Sequence, residues 1–179
     1  MKHTRLVYVC ALALVGVLLA ASVGSADDWF KKNTKARRKA LELSQSIDDM
    51  GMRIMTYNKS VSEVEEKRGG GVSVGGVVSK MGTWKKNGTE VYGQILEWPN
   101  KKDRKYVLLA FKTTDPMMVF AGKIHVGAST KVLENFLGLP LKRLDSYGQV
   151  MWSHDRISYC IMHQNGKITE ISSENFSDI

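Results

Sequence analysis

Cysteine and histidine are scarce in this chain, and their scarcity bounds its chemistry. Of two cysteines in 179 residues, Cys10 lies inside an apolar leader. Cys160 is then alone, so no intramolecular disulfide is expected and stability must come from packing. It sits in the apolar run from Ile157 to Met162, where a thiol behaves as a small buried hydrophobe. The histidines after the leader, His125, His154 and His163, show neither H-x-H nor H-E-x-x-H spacing, so zinc ligation is not expected. Residues three apart on a strand face opposite sides, which disfavours a Cys160–His163 nucleophile pair. The glycine-rich stretch Gly69 to Gly76 has no following Lys-Ser or Lys-Thr, so it reads as a connector and not a phosphate loop. Asp48, Asp49, Glu63, Glu65 and Glu66 read as solvated helix carboxylates near lysines. No convergent acid, base and nucleophile set emerges. The expectation is a non-enzyme with no cofactor, no metal and no catalytic residue.

Aromatics make up only 8% and prolines number 3, but 43% of residues are hydrophobic, enough for a folded core and unlike a disordered or fibrous chain. Lys2, His3 and Arg5 precede an apolar run from Leu6 to Ala21, with small residues Gly24 and Ala26 before Asp27. That is the form of a cleavable signal peptide over 1–26, which implies export to a periplasmic or extracellular setting. The alternative is an uncleaved anchor over residues 6–26, about the roughly 20 residues a bilayer needs. Formal charge is +8, and Lys31, Lys32, Lys35, Arg37, Arg38 and Lys39 concentrate much of the excess just beyond the leader. This cluster suits a solvated helix face or contact with an anionic surface. No nucleic-acid motif accompanies it, and nucleic acid is not an expected partner.

Residues 27–68 read as one long amphipathic helix, capped by Asp27 or Asp28 and ended by Gly69-Gly70-Gly71. Its stripe runs Trp29, Ala36, Ala40, Leu43, Ile47, Met50, Ile54, Tyr57, Val61, Val64. From Ala36 onward the steps alternate four and three, the period of a surface helix and also of a heptad seam. The preferred reading lays this stripe on the protein's own sheet; a homo-oligomer through the helix is the alternative.

A pattern then occurs twice. Gly82, Tyr92-Gly93-Gln94-Ile95 and Asp103-Arg104 are matched in order by Gly138, Tyr147-Gly148-Gln149-Val150 and Asp155-Arg156. The duplication predicts an α+β fold of two tandem units, 71–121 and 122–179, each a helix plus a three-stranded antiparallel sheet, behind the long helix. In the first, Val74, Val77, Val78 and Met81 suggest a short helix, with strands over Glu90–Trp98, Lys105–Lys112 and Met117–Ala121. In the second, a helix capped by Ser129 or Thr130 ends at Gly138 and Pro140. Strands follow near Tyr147–Ser153, Arg156–His163 and Lys167–Ser172, with Asn165-Gly166 as the strongest hairpin signal.

Ile124-His125-Val126-Gly127, Val132, Leu137-Gly138-Leu139-Pro140 and then Tyr147, Ile157, Asn165-Gly166-Lys167 and Ile168 carry a family likeness. The run resembles small exported α+β modules of the outer-membrane assembly lipoproteins (SmpA/OmlA type) and of β-lactamase inhibitor protein-like folds. The likeness spans roughly residues 122–173, with 71–121 weaker, and it implies an envelope binding module. The chain departs from the lipoproteins in having no lipid-attachment cysteine.

The remaining lead is aromatic. Trp84, Tyr92, Trp98, Tyr147 and Trp152 gather around the repeated strands, and aromatics are enriched in binding hot spots. They are the candidate partner-binding residues, with a sheet face bearing Trp98 and Trp152 as the expected contact surface for an envelope protein. The competing reading places Tyr92 and Tyr147 at equivalent core positions.

Overall fold

The computed structural model describes residues 32–57, 77–98, 103–143 and 147–175. Helix α1 spans Thr34–Tyr57. It is followed by strands β1 Val78–Lys86, β2 Thr89–Trp98 and β3 Asp103–Thr113. Helix α2 Thr130–Leu137 and a short 3-10 turn at Leu141–Arg143 lead into β4 Gln149–His154, β5 Ile157–Gln164 and β6 Lys167–Asn175. All six strands form one sheet in the order β1-β2-β3-β6-β5-β4. Every pairing is antiparallel. Two meanders therefore meet at the β3–β6 seam, where Ala110 to Thr113 pair with Glu174 to Ile171.

This architecture overturns the expectation of two helix-plus-sheet repeats. The repeated landmarks fall on unrelated elements: Tyr92 is in the middle of β2, whereas Tyr147 precedes β4 in a left-handed conformation at φ 57°. Gly82 lies within β1, but Gly138 terminates α2 at φ 72°. Asp103-Arg104 opens β3, and Asp155-Arg156 forms the β4–β5 turn. The expected helix containing Val78 and Met81 is instead β1, because Asn87-Gly88 at φ 49° and 76° folds it back on β2 as a hairpin. Met117–Ala121 is not a strand. Thr113 Oγ1 accepts from Asp115 N and Asp115 Oδ1 from Met117 N, local bonds that turn the chain out of the ladder. The Asn165-Gly166 hairpin is found where expected, at φ 52° and 73° between β5 and β6. Ser129 caps α2, its hydroxyl accepting from Lys131 N at 3.3 Å.

Within the described residues helix α1 runs 24 residues, and it starts later than the expected Asp27 or Asp28 cap: its cap is Asn33, whose Oδ1 accepts from Ala36 N at 3.1 Å. Asp27, Asp28, Trp29, Lys31, Val61, Val64 and the Gly69–Gly76 connector lie outside the described residues. The buried face of α1 is Ala36, Ala40, Leu43, Ser44, Ile47, Gly51 and Met55. It departs from the expected stripe after Ile47, and Tyr57 is 80% exposed. Gly51 and Met55 are fully buried there, and Met50 and Ile54 pack half-buried against the same core. Within the described residues this face packs on the protein's own sheet.

One core unites the molecule. Helix α1 meets the sheet through Leu43 and Ile47, and α2 adds Leu133, Phe136 and Leu137. The sheet contributes Val91, Phe111, Tyr159, Ile161, Ile168 and Ile171. At 25 cal/mol per Å2 of apolar area, each such side chain contributes about 1.5–3 kcal/mol. Two bulges interrupt the ladders: Leu109 is the extra residue opposite Tyr92–Gly93, and Thr169 the extra one opposite Met162–His163.

Candidate protein-binding surface

Register and alternation sort the strand residues onto two faces. On the helix side, Trp152 Nε1 donates to Ser44 Oγ at 2.8 Å and stacks on Tyr159, with centroids 5.5 Å apart and planes 13° apart. Tyr159 in turn donates its hydroxyl to Asp48 Oδ2 at 2.7 Å. This Ser44–Trp152–Tyr159–Asp48 set fixes how α1 crosses β4 and β5. Burial, then the nearby Asp49, raises the pKa of Asp48 against the lowering effect of the Tyr159 bond and of His154. Burial and the Asp48 contact push the Tyr159 hydroxyl well above its ordinary range. Asp48 is thus not the solvated carboxylate expected from its sequence neighbours; no sequence pattern marks it, because its partner is 111 residues away.

Both helices lie on this side, and no described helix covers the other. The open face carries Met81 and Thr83 from β1, Tyr92, Leu96 and Trp98 from β2, and Val107 and Ala110 from β3. Across the seam, Met151, Cys160 and Met162 continue it. Tyr92 and Met162 are each 41% exposed. Between these two apolar areas, Lys112 Nζ pairs with Glu170 Oε2 at 2.6 Å, and Lys85 pairs with Glu90 at 3.1 Å on the flank.

The five candidate aromatics therefore separate. Trp152 is 2% exposed and Trp84 is 3% exposed, with its ring lying over Gly82, so both belong to the core side and offer nothing to a partner. Their burial corrects the expectation of a surface bearing Trp98 and Trp152 together: one faces out and the other in. Tyr92 and Trp98 share the open face, the former exposed and the latter half-buried. Tyr147 is 98% exposed but stands outside the strands, away from that row. Sequence reasoning missed Met81, Leu96, Val107, Met151 and Met162. The two-residue alternation of β1 was the available signal, hidden by reading that segment as helix.

A thiol also stands on this face. Cys160 is on it and His163 on the other, as three-residue spacing on one strand dictates. Burial pushes the Cys160 thiol up to about 11, which keeps it protonated and weakly nucleophilic at neutral pH. Among the described residues, no three His, Cys, Asp or Glu side chains gather as a metal set. A cleft of about 250 Å3 lies between Ile54, Trp84, Lys86, Asp115 and Met118, and an open one of about 390 Å3 lies at the β1–β2 hairpin beside Lys86, Gly88, Lys112 and Thr114. Of the basic cluster, Lys32, Lys35, Arg37 and Arg38 are exposed, and Lys39 is turned inward over the Phe136 ring at 4.9 Å. No described helix is long and apolar enough to cross a membrane; residues 6–26 lie outside the described ones.

No protein-family model, curated protein or solved structure matches the chain. The likeness to exported α+β modules thus rests on the residues from Ile124 to Ile168 quoted above.

Proposed function

We propose that this is an exported, non-catalytic protein-binding module of the cell envelope, of the inhibitor or assembly-factor kind, which engages its partner through the open face of its sheet. The observation that carries this reading is the face itself. One side of the sheet is packed by both helices, and the other keeps Tyr92, Leu96, Trp98 and Met81 around Gln94, which donates to Ser79 at 2.8 Å, with the Lys85–Glu90 pair at the flank. Aromatic and apolar side chains with hydrogen-bonded polar groups among and around them have the anatomy of a protein interface. The signal-like leader ending at Ala26 supports export.

An envelope pull-down with the native chain, compared with a Tyr92→Asp/Trp98→Asp variant, tests it. The variant should lose its partner while its unfolding midpoint stays close to native, since neither side chain is fully buried. Retention of the same partner at native strength would remove the face from consideration. Mass spectrometry of the mature chain tests export separately: an N-terminus at Asp27 is expected, and an intact Met1 in the membrane fraction would favour an anchor instead.

A further inference from the structure

Four side chains on the β4–β5 part of the open face stand at the corners of a cross-strand square. Gln149 of β4 lies opposite Met162 of β5, and Met151 opposite Cys160. Partners directly opposite have Cβ atoms about 4.5–5.5 Å apart, and successive corners along one strand are about 6.7 Å apart. One diagonal already closes: the Cys160 thiol donates to Gln149 Oε1 at 3.7 Å. The other diagonal joins two methionines, whose unbranched, flexible side chains adapt to span it. Three sulfur atoms thus share one patch, with Met151 and Cys160 half-buried and Met162 41% exposed. A thiol flanked by two thioethers is a set of soft donors. We propose that Met151, Cys160 and Met162 bind a single Cu(I) ion, with Gln149 Oε1 beside it as a weak fourth donor.

The donor set selects the metal. Thiolate and thioether sulfurs favour Cu(I), whereas magnesium and calcium take oxygen ligands. Zinc sites draw on Cys, His and carboxylate ligands, and no three of these gather among the described residues. Charge gives the same answer. On binding, Cys160 releases its thiol proton to solvent and its sulfur bonds to the metal; copper stays Cu(I), so nothing is oxidised or reduced. One thiolate then cancels one Cu(I) charge, and the half-buried patch stays neutral. A divalent ion on the same ligands would leave an uncompensated positive charge there. The charged groups that face the thiol are Glu170, opposite Met162 on β6, and Lys112 on β3, and they are paired with each other at 2.6 Å. Burial keeps the thiol protonated at neutral pH, so the metal must displace the proton and binding strengthens as pH rises. The sulfur patch lies on β4 and β5, whereas Tyr92 and Trp98 lie on β2, so this inference goes beyond the protein-binding reading and stands without it.

Titration of the native chain with Cu(I), under a reductant and against a chromogenic Cu(I) chelator, tests this. One Cu(I) at this site is expected, with an apparent affinity that rises about tenfold per pH unit around neutrality as one proton leaves. Bound Cu(I) should slow alkylation of Cys160 and peroxide oxidation of Met151 and Met162, read by peptide mass spectrometry. Cys160→Ser is expected to lose the site. Met151→Leu and Met162→Leu are volume-conserving swaps that keep the unfolding midpoint near native, and each is expected to weaken binding by about tenfold or more. A native chain that takes up no Cu(I) overturns the proposal. Binding at full strength in Cys160→Ser overturns it too, because the metal then sits elsewhere. Binding unchanged in both methionine variants does the same, because the thiol then acts alone. The Tyr92→Asp/Trp98→Asp variant is expected to bind Cu(I) like the native chain, so failure of the metal site and failure of the protein-binding face are read separately.

Discussion

Replacing Gly93 by alanine tests the packing of α1 on the sheet. Gly93 lies in β2 beneath the C-terminal half of α1. A Cβ there would overlap Met55 Sδ and stand 2.9 Å from the Val107 carbonyl oxygen. The methionine end can swing aside, but the carbonyl belongs to the β3 backbone and cannot move without disturbing the ladder. Overpacking of this kind costs about 1–3 kcal/mol. Removing a glycine from the unfolded chain gives back about 0.5–1 kcal/mol. The steric term wins, and Gly93→Ala is expected to destabilise by about 1–2 kcal/mol. A chain of this size then loses roughly 2–8 °C in Tm. Urea unfolding followed by tryptophan fluorescence reads it directly, because Trp84 and Trp152 are both buried on the helix side. Combining Gly93→Ala with Met55→Ala should show positive coupling, since the truncated side chain no longer meets the new methyl. A Gly93→Ala protein as stable as native would refute the claim that α1 and β2 are in close approach at this point.

Other substitutions probe the interior and one turn. Ser44→Ala leaves Trp152 Nε1 buried without its 2.8 Å acceptor and should cost about 1–3 kcal/mol, seen as a lower urea midpoint. Asp48 has a folded pKa above its unfolded value, so its contribution is full below about pH 4 and is lost as pH rises through the folded pKa. Asp48→Asn should therefore flatten the decline of the unfolding midpoint with rising pH in that window; an unchanged slope would show that Asp48 does not govern it. Arg156 holds φ 69° in the β4–β5 turn, and Arg156→Gly should raise stability by about 0.5–1 kcal/mol in a thermal melt. Cys160 should react slowly with iodoacetamide near neutral pH and faster as pH approaches 11.

Much of the second meander was legible in the sequence. Asn165-Gly166 fixes a two-residue hairpin by its preference for positive φ, and Ser129, Gly138 and Pro140 bracket α2 by capping chemistry. These signals are local, so a single chain displays them. The first meander was less legible for a local reason as well. Val78 and Met81 are three apart, which suits a helix, but the period of two through Ser79, Met81 and Thr83 against Lys80, Gly82 and Trp84 is the one that pairs with β2. The repeated Tyr-Gly-Gln misled because the same three residues serve different backbones. In β2, Gly93 makes room for α1 and keeps strand geometry; before β4, Tyr147 and Gly148 are both at positive φ and turn the chain.

The candidate surface was half legible, and the missing half follows from how a sheet displays its residues. Aromatic type says that a side chain is large and prefers contact; it does not say on which face it stands. Face is set by register, and register is set by partners remote in sequence. Trp152 is turned inward because it is opposite Tyr159 in the β4–β5 ladder, and Tyr159 is tied to Asp48 on α1. Trp98 is two-residue steps from Tyr92 on the same strand, so the two share the outer face whatever the rest of the fold does. That last relation holds within one strand and could be read from sequence alone; the first depends on a contact between α1 and β4–β5 that no local pattern encodes. The same logic explains why Lys112 and Glu170 were not linked in advance: their carbon chains reach across the β3–β6 seam, a pairing created only when the two meanders join. A surface assembled from both meanders exists only in the folded chain, and its central charges are the part of it most directly open to exchange by mutation.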